Sequence, residues 1–424
     1  MKKSHVYCII GNAIEFYDFT IFAFFTPLLG KVFFPSEKSF LSLLFGLTIL
    51  GSAFIARPIG GILFGHIADK YGRRISLICS LFLMAIATLS IGILPTPDKI
   101  SIISSLLLFF LRFTQGLSAG GEYWGVSILL METAPFQHRN FWGAFVPMSC
   151  GVGALLAVLV GQILQNSAFP IWTWRIAFIF GGCVGFLALL VRIKIPESPE
   201  FEKILNCKSS NNLLETFPIV ILFRNYLSAF CKAFTMGSFH SALITCSFAY
   251  VNIYLHQVVG FSMSESLFYN TFCLLCFILT ALLVGYFSDR LRQDLMARSI
   301  IIAVVICAYP IFFLLCYGNS FLIIIAEVLL GFLTGTYAVF INGYAYNLFS
   351  TQVRASGISI GYSFGMGVVG STMPIICSVL VNKFNNPMMP AVYLIALGII
   401  TLVFERVSIR FSKQVVVLNQ TISC

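Results

Sequence analysis

Glu15 and Asp18 lie three residues apart inside an apolar run that extends from about residue 7 to residue 30. On a helix that spacing sets both carboxylates on one face, with Asn12 a turn below. A carboxylate facing a dry cavity can take a proton from one side of a membrane and release it on the other. At the centre of a membrane span each charge costs roughly 2.5 to 3.5 kcal/mol on insertion scales, so its presence needs a reason. A later apolar run, residues 101 to 131, carries Arg112, Gln115 and Glu122 around Gly116 and Gly120. Those glycines have the small-xxx-small spacing that lets helices approach closely, which would turn the polar side chains inward. Arg112 keeps its charge, so it suits a fixed partner that modulates a neighbouring acid or receives a substrate carboxylate. Asp18, Glu15, Arg112 and Glu122 are therefore the candidates for proton coupling. The alternative is that Glu15 or Asp18 neutralises Arg57 or Arg112 permanently as a packing pair.

Further along the chain the signs reverse. Glu327 stands where the first half has Arg112, and Lys232 and His240 stand where it has carboxylates. Opposite charges across a central cavity would suit a zwitterion, although Lys232 lies near a run's end and can snorkel to water. His240 suits either a proton relay or a hydrogen bond between helices. Tyr123, Trp124, Tyr250, Tyr254, Tyr337, Tyr344 and Tyr362 could build a cage for a cation or form interfacial belts. Of these, Trp124 and Tyr337 fall near the middle of their runs. The candidate substrate contacts are Arg112, Gln115, Trp124, His240, Glu327 and Tyr337.

The elements that must position these side chains are membrane spans. The 424 residues are 58% hydrophobic and 10% charged, with 44 Phe and a mean hydropathy of +0.94, whereas soluble domains carry about 25% charged residues. Twelve runs are long and apolar enough to span, an all-α polytopic arrangement with both termini on one side. With the N-terminus inside, Lys and Arg divide about 18 to 5 between inner and outer segments, which predicts cytoplasmic termini. Net charge of +10 thus reports topology, and no nucleic-acid partner is expected. Lys2 and Lys3 precede a run that is too long and too charged for a signal peptide. The 13 Cys lack any ligand spacing, so neither a disulfide framework nor a metal site is expected.

A polar stretch, residues 195 to 223, separates two sets of six spans, residues 1–194 and 224–411, with a short tail at 412–424. The halves repeat each other: GHIADKYGRR from Gly65 against GYFSDRLR from Gly285, RFTQGLSAG from Arg112 against EVLLGFLTG from Glu327, and Arg139 against Arg354, all about 215 to 220 residues apart. Two pseudo-symmetric six-helix bundles with a substrate site between them are the expected architecture.

On those residues the chain resembles the major facilitator superfamily. GHIADKYGRR fits the superfamily's turn between spans two and three. GNAIEFYDF, ARPIGG, RFTQGLSAGGEYWG and IPESPEF look like the metabolite:proton symporter branch, whose best-known members carry proline and betaine. Intraphagosomal amino-acid transporters of intracellular bacteria share much of this pattern. The resemblance implies a monomeric carrier in a bacterial inner membrane, driven by the proton gradient without a cofactor. It implies proton coupling at Arg112 and a cytoplasmic latch of Gly65, Asp69, Gly72, Arg73, Arg74 and Arg139, with Asp69 facing the start of span eleven. Two departures bear on mechanism. The tail FSKQVVVLNQTISC has no sustained heptads, against osmotic gating through a coiled coil, and GAFVPMSCGVG lacks a Gly before Pro147, which favours symport over exchange.

The expected activity is uptake of a small zwitterionic or anionic metabolite, such as an amino acid or betaine, with protons. A carrier for a dicarboxylate or nucleoside, an exporter, a non-transporting sensor and a channel are the alternatives. No P-loop, HExxH or nucleophile elbow is present, so no enzyme is expected.

Overall fold

A computed structural model describes residues 3–34, 39–164, 170–208 and 218–419. Lys2, Lys38, the middle of the polar linker and the last five residues of the tail lie outside the described residues. Twelve helices are long and apolar enough to cross a membrane: α1 (His5–Phe33), α2 (Thr48–Tyr71), α3 (Arg73–Ile93), α4 (Ile102–Thr133), α5 (Phe136–Leu164), α6 (Trp174–Arg192), α7 (Leu227–Val259), α8 (Met263–Ser288), α9 (Gln293–Cys316), α10 (Ser320–Leu348), α11 (Arg354–Phe384) and α12 (Met389–Arg406). The twelve spans expected from sequence are borne out, most ends falling within a few residues. Helical structure starting at Met389 continues to Asn419, so the first part of the expected tail extends the last helix.

The side-chain distribution is that of a protein in lipid. Leu187, Leu190, Leu283, Ile306, Phe313 and Ile375 are exposed on outer helix faces, while Asn12, Glu15, Asp18, Arg112, Gln115 and Glu122 are buried. A helix satisfies its own backbone groups, which lets each span cross hydrocarbon, and polar side chains then have to find partners inside the bundle.

The helices α1–α6 and α7–α12 form two pseudo-symmetric bundles. Within the first, α2 and α4 touch backbone to backbone at Gly116 and Gly120. A Cβ on Gly116 would strike the Ala53 backbone, and one on Gly120 would strike the Arg57 carbonyl. Between the bundles, α2 packs on α11 and α5 packs on α8, two contacts related by the internal repeat. The inward spans are not regular throughout. Two π turns, Cys246–Tyr250 and Leu255–Val259, interrupt α7, and a third, Met366–Gly370, interrupts α11. Such turns concentrate at functional sites, and no signal in the sequence announces them. Linker residues 197 to 201 lie against the inner end of the first bundle.

Candidate functional site

At the meeting of the two bundles, Arg57 of α2 projects into a cavity of about 30 Å³ lined also by Phe16, Tyr123, Trp124, Cys150 and Tyr362. The volume admits one or two waters, so the walls must part before a metabolite enters. Arg57 is 6% exposed, stacks on Phe19 at 4.2 Å and Phe54 at 5.6 Å, and touches Met366 Sδ. Its Nε has no hydrogen-bond partner. Opposite it, the Tyr123 and Tyr362 rings stack 6.0 Å apart with a 5° interplanar angle, and Trp124 sets its edge against Tyr362 at 5.1 Å. The Trp124 Nε1 donor has no partner either. Tyr362 OH lies 2.9 Å from His240 Nδ1, whose ring is otherwise enclosed. A guanidinium with a free Nε and a weak thioether partner, facing a box of aromatic faces, can hold a carboxylate at one end and a cation at the other.

Behind the cavity wall, Asp18 and Arg112 are joined by a chain of side chains. Arg112 Nη1 donates to Gln115 Oε1 (2.9 Å), Gln115 Nε2 donates to Thr88 Oγ1 (2.8 Å), and Thr88 Oγ1 donates to Asp18 Oδ2 (3.1 Å). The other carboxylate oxygen of Asp18 has no partner and rests against Gly181, where any side chain would displace it. Arg112 stacks on Phe19 at 4.3 Å and on Phe22 at 4.2 Å, so Phe19 separates the two arginines. Glu15 is buried with Oε2 unpartnered. Among the described residues no ion pair includes Glu15, Asp18, Arg57 or Arg112. The permanent packing pair considered as an alternative is therefore not formed.

Other candidates fall elsewhere. Glu122 faces Arg192 of α6 in a buried ion pair and also accepts from Ser80, away from Arg112. Seven residues, about two turns of α4, separate Glu122 from Gln115, so it meets α3 and α6 roughly 10 Å further along the helix. Glu327 lies between α8 and α10 beside Cys273 and Asn270, and Tyr337 packs behind His240 at 5.6 Å, with its hydroxyl aimed at the Met236 carbonyl (3.4 Å). Lys232 sits near Glu405, which pairs with Arg298 at 2.7 Å. Opposed charges from Lys232 and Glu327 across the cavity are thus not found, because both point to other faces of their helices. Arg57 takes the place expected of Arg112 at the cavity. Its signal was in the sequence, as a charge within a span. Thr88 had none, being a lone hydroxyl in an apolar run.

On the side of the linker, the expected latch residues form an alternating chain of charge. Asp69 Oδ1 is 3.2 Å from Arg73 Nη1, Arg73 Nε is 3.3 Å from Glu132, Arg354 lies 2.7 Å from Glu132 and 2.8 Å from Glu200, and Arg139 pairs with Glu200. Three acids thus offset three arginines. Asp69 also accepts from the backbone of Ala355 (3.2 Å) and Ser356 (2.7 Å), the first turn of α11. That contact needs Gly65, since a Cβ there would come within 2.9 Å of Ser356 Cα. Gly72 turns the chain at φ +119°, and Glu197 caps α3 by accepting from Arg73 N (3.0 Å) and Arg74 N (3.1 Å). Arg74 itself reaches the Ile193 carbonyl. Glu200 was missed as a latch residue although it lies in IPESPEF. Its hydrogen bonds from Tyr346 (3.1 Å) and Thr351 (3.3 Å) reach across to the second bundle.

Twelve helices in two bundles, an aromatic-walled cavity between them that holds one arginine, and an ionic network at one end define a multi-pass membrane transporter of small molecules. The chain belongs to the Major Facilitator Superfamily, whose sequence model matches residues 8–374. It is 31% identical to a protein named putative proline/betaine transporter from Staphylococcus aureus (strain COL) over 408 residues, 94% of this chain and 86% of that one. It is 29% identical to an ectoine/proline transporter of Corynebacterium glutamicum, covering 91% and 79%, and 27% identical to the proline/betaine transporter of Escherichia coli (strain K12), covering 95% and 82%. Among solved structures it is similar to a proton:xylose symporter, with a TM-score of 0.75 at 15% identity over 95% of this chain and 94% of that one. A human organic anion transporter gives 0.69 at 14% identity, over 95% and 99%. These two likenesses concern the fold.

Proposed function

We propose that this protein takes up a small zwitterion of the proline or betaine class together with a proton. Arg57, its Nε unpartnered and its Nη1 held only by Met366 Sδ in a cavity walled by Tyr123, Trp124 and Tyr362, is the observation that carries the reading. Arg57 receives the substrate carboxylate, and the aromatic faces receive its ammonium or quaternary nitrogen. The names of the relatives agree with that chemistry.

Asp18 carries the proton. It has no counter-cation, yet the Thr88–Gln115 chain ties it to Arg112, so a change in its charge is felt at the arginine and at Phe19 beside Arg57. The distribution of Lys and Arg supports cytoplasmic termini and places the latch on the cytoplasmic side.

Proteoliposomes with an imposed inward proton gradient test this. Proline or glycine betaine is expected to accumulate, and a protonophore to abolish it. Asp18→Asn should cut accumulation steeply while keeping exchange of internal for external substrate, and Arg57→Lys should raise KM about tenfold or more, the loss of one bidentate charged contact. Undiminished gradient-driven accumulation in Asp18→Asn would overturn the assignment of the proton.

A further inference from the structure

Glu327 is fully buried in α10, and neither of its carboxylate oxygens has a hydrogen-bond partner. None of the ion pairs among the described residues includes it. The titratable groups that face it are two thiols, Cys273 of α8 and Cys246 in the π turn of α7, with Cys377 of α11 beside the latter. No charged side chain from α5, α9 or α11 reaches it.

The amide nearest to it is engaged elsewhere. Asn270 Nδ2 donates to the Ser247 carbonyl at 2.6 Å, and the Ser247 hydroxyl is joined to Thr334 Oγ1 at 2.7 Å. An isolated ionised carboxylate in such a place is far more costly than a neutral one, and buried acids of this kind take up a proton instead. Thiols are poor ligands for alkali cations, which prefer oxygen.

We propose that the second bundle holds its own proton site at Glu327, separate from Asp18 and filled in the closed conformation seen here. The helices that enclose Glu327 also wall the central cavity. Ile244 and Phe248 flank Cys246 and Ser247 on α7, Phe277 lies one turn from Cys273 on α8, and all three apolar side chains line the cavity. The π turn at Cys246–Tyr250 makes this the place where α7 can shift register. A shift that frees Asn270 from Ser247 gives the carboxylate a donor, and the O–H bond of Glu327 then breaks, its proton leaving to water on the open side. Substrate in the cavity and the proton on Glu327 are coupled through α7, and each substrate moves with two protons.

The inference rests on the proton-coupled reading of Asp18, and the measurements separate the two. In proteoliposomes under a proton gradient of one pH unit and no membrane potential, two protons per substrate give about 100-fold accumulation of proline or glycine betaine and one gives about tenfold. Wild type is expected near the first value and Glu327→Gln near the second, with Glu327→Asp restoring the first. Equal accumulation by wild type and Glu327→Gln overturns the site, as does uptake that requires sodium in wild type and not in Glu327→Gln. Wild-type uptake indifferent to the proton gradient overturns both readings, and accumulation that falls in Glu327→Gln but stays at the wild-type level in Asp18→Asn overturns the Asp18 reading alone. Infrared difference spectra of the purified protein read the proton directly. Of the protonated-carboxyl bands that disappear at high pH, one should persist in Asp18→Asn and be absent from Glu327→Gln, and a Glu327→Gln spectrum identical to wild type sinks the proposal.

Discussion

Asp69 and Asp289 occupy equivalent places in the two halves, each closing the turn after the second span of its bundle and each capping a helix of the other bundle. Asp69 accepts from Ala355 and Ser356 at the start of α11, and Asp289 accepts from Asn140 (2.8 Å) and Phe141 (3.1 Å) at the start of α5. The caps are alike, but their surroundings differ. Where Asp69 has Arg73, Asp289 has Gln293, which donates to the Ser288 carbonyl at 2.6 Å, and where the first half has Glu132 the second has Asn347. Asp69 is buried and Asp289 half-buried. One duplicated motif has thus become a dry ionic network on one side and a plain helix cap on the other. A cap holds a helix end with the helix dipole alone, while the latch adds ions that cannot part without exposing buried charge.

Asp69→Asn tests the larger side of that difference. It removes the charge from the α11 cap and one of two acids from Arg73, which is 0% exposed. A charge at a partly buried helix terminus contributes up to about 2 kcal/mol, and an uncompensated buried ion costs more, so a shift of roughly 2 to 3 kcal/mol toward the latch-open state is expected, about 30- to 150-fold in population. Distances between spin labels on the ends of α2 and α11 beside the latch read that ratio. An unchanged distribution would remove the latch role.

Glu200→Gln acts on the same network from the linker. Glu200 meets Arg354, Arg139, Tyr346 and Thr351, but its side chain keeps 21% exposure, so water replaces part of what is lost. A shift of about 1 kcal/mol, near fivefold, is expected by the same measurement. Asp289→Asn should do less, about two- to threefold, because a half-exposed cap contributes only some tenths of a kcal/mol. If Asp289→Asn opened the protein as far as Asp69→Asn, the charged network around Arg73 would be idle and the two caps equivalent.

The comparison also shows what the chain discloses unaided. Spans, halves and the repeat are written in composition and in motifs such as GHIADKYGRR, because lipid forces long apolar helices and the latch needs Gly and Asp at fixed spacing. The latch's partner in α11 came with the resemblance, which sets Asp69 against the start of span eleven. What is hidden is which way a polar side chain turns on its helix. Glu122 and Arg112 share α4 but belong to different clusters, and Arg57 rather than Arg112 reaches the cavity. The π turns that reorient α7 and α11 arise from tertiary packing, and a lone Thr88 carries no pattern of its own.

The smallest effect expected is none at all. Burial alone would raise the Glu200 carboxyl, but the hydrogen bond and charge of Arg354, then the charge of Arg139 and the hydroxyl of Tyr346, outweigh it and hold the group below its ordinary value of 4.5. An acid so depressed supports the closed latch fully above that ordinary value and loses its contribution only as pH falls through the lower one. Between pH 6 and 8 the label distances across the latch should therefore stay fixed in the double variant Asp18→Asn, Glu327→Gln, while substrate accumulation in wild type follows the proton gradient over the same range. Opening of the latch in that double variant as pH falls from 8 to 6 would mean that the network itself titrates. The proton would then act at the gate instead of in the bundles.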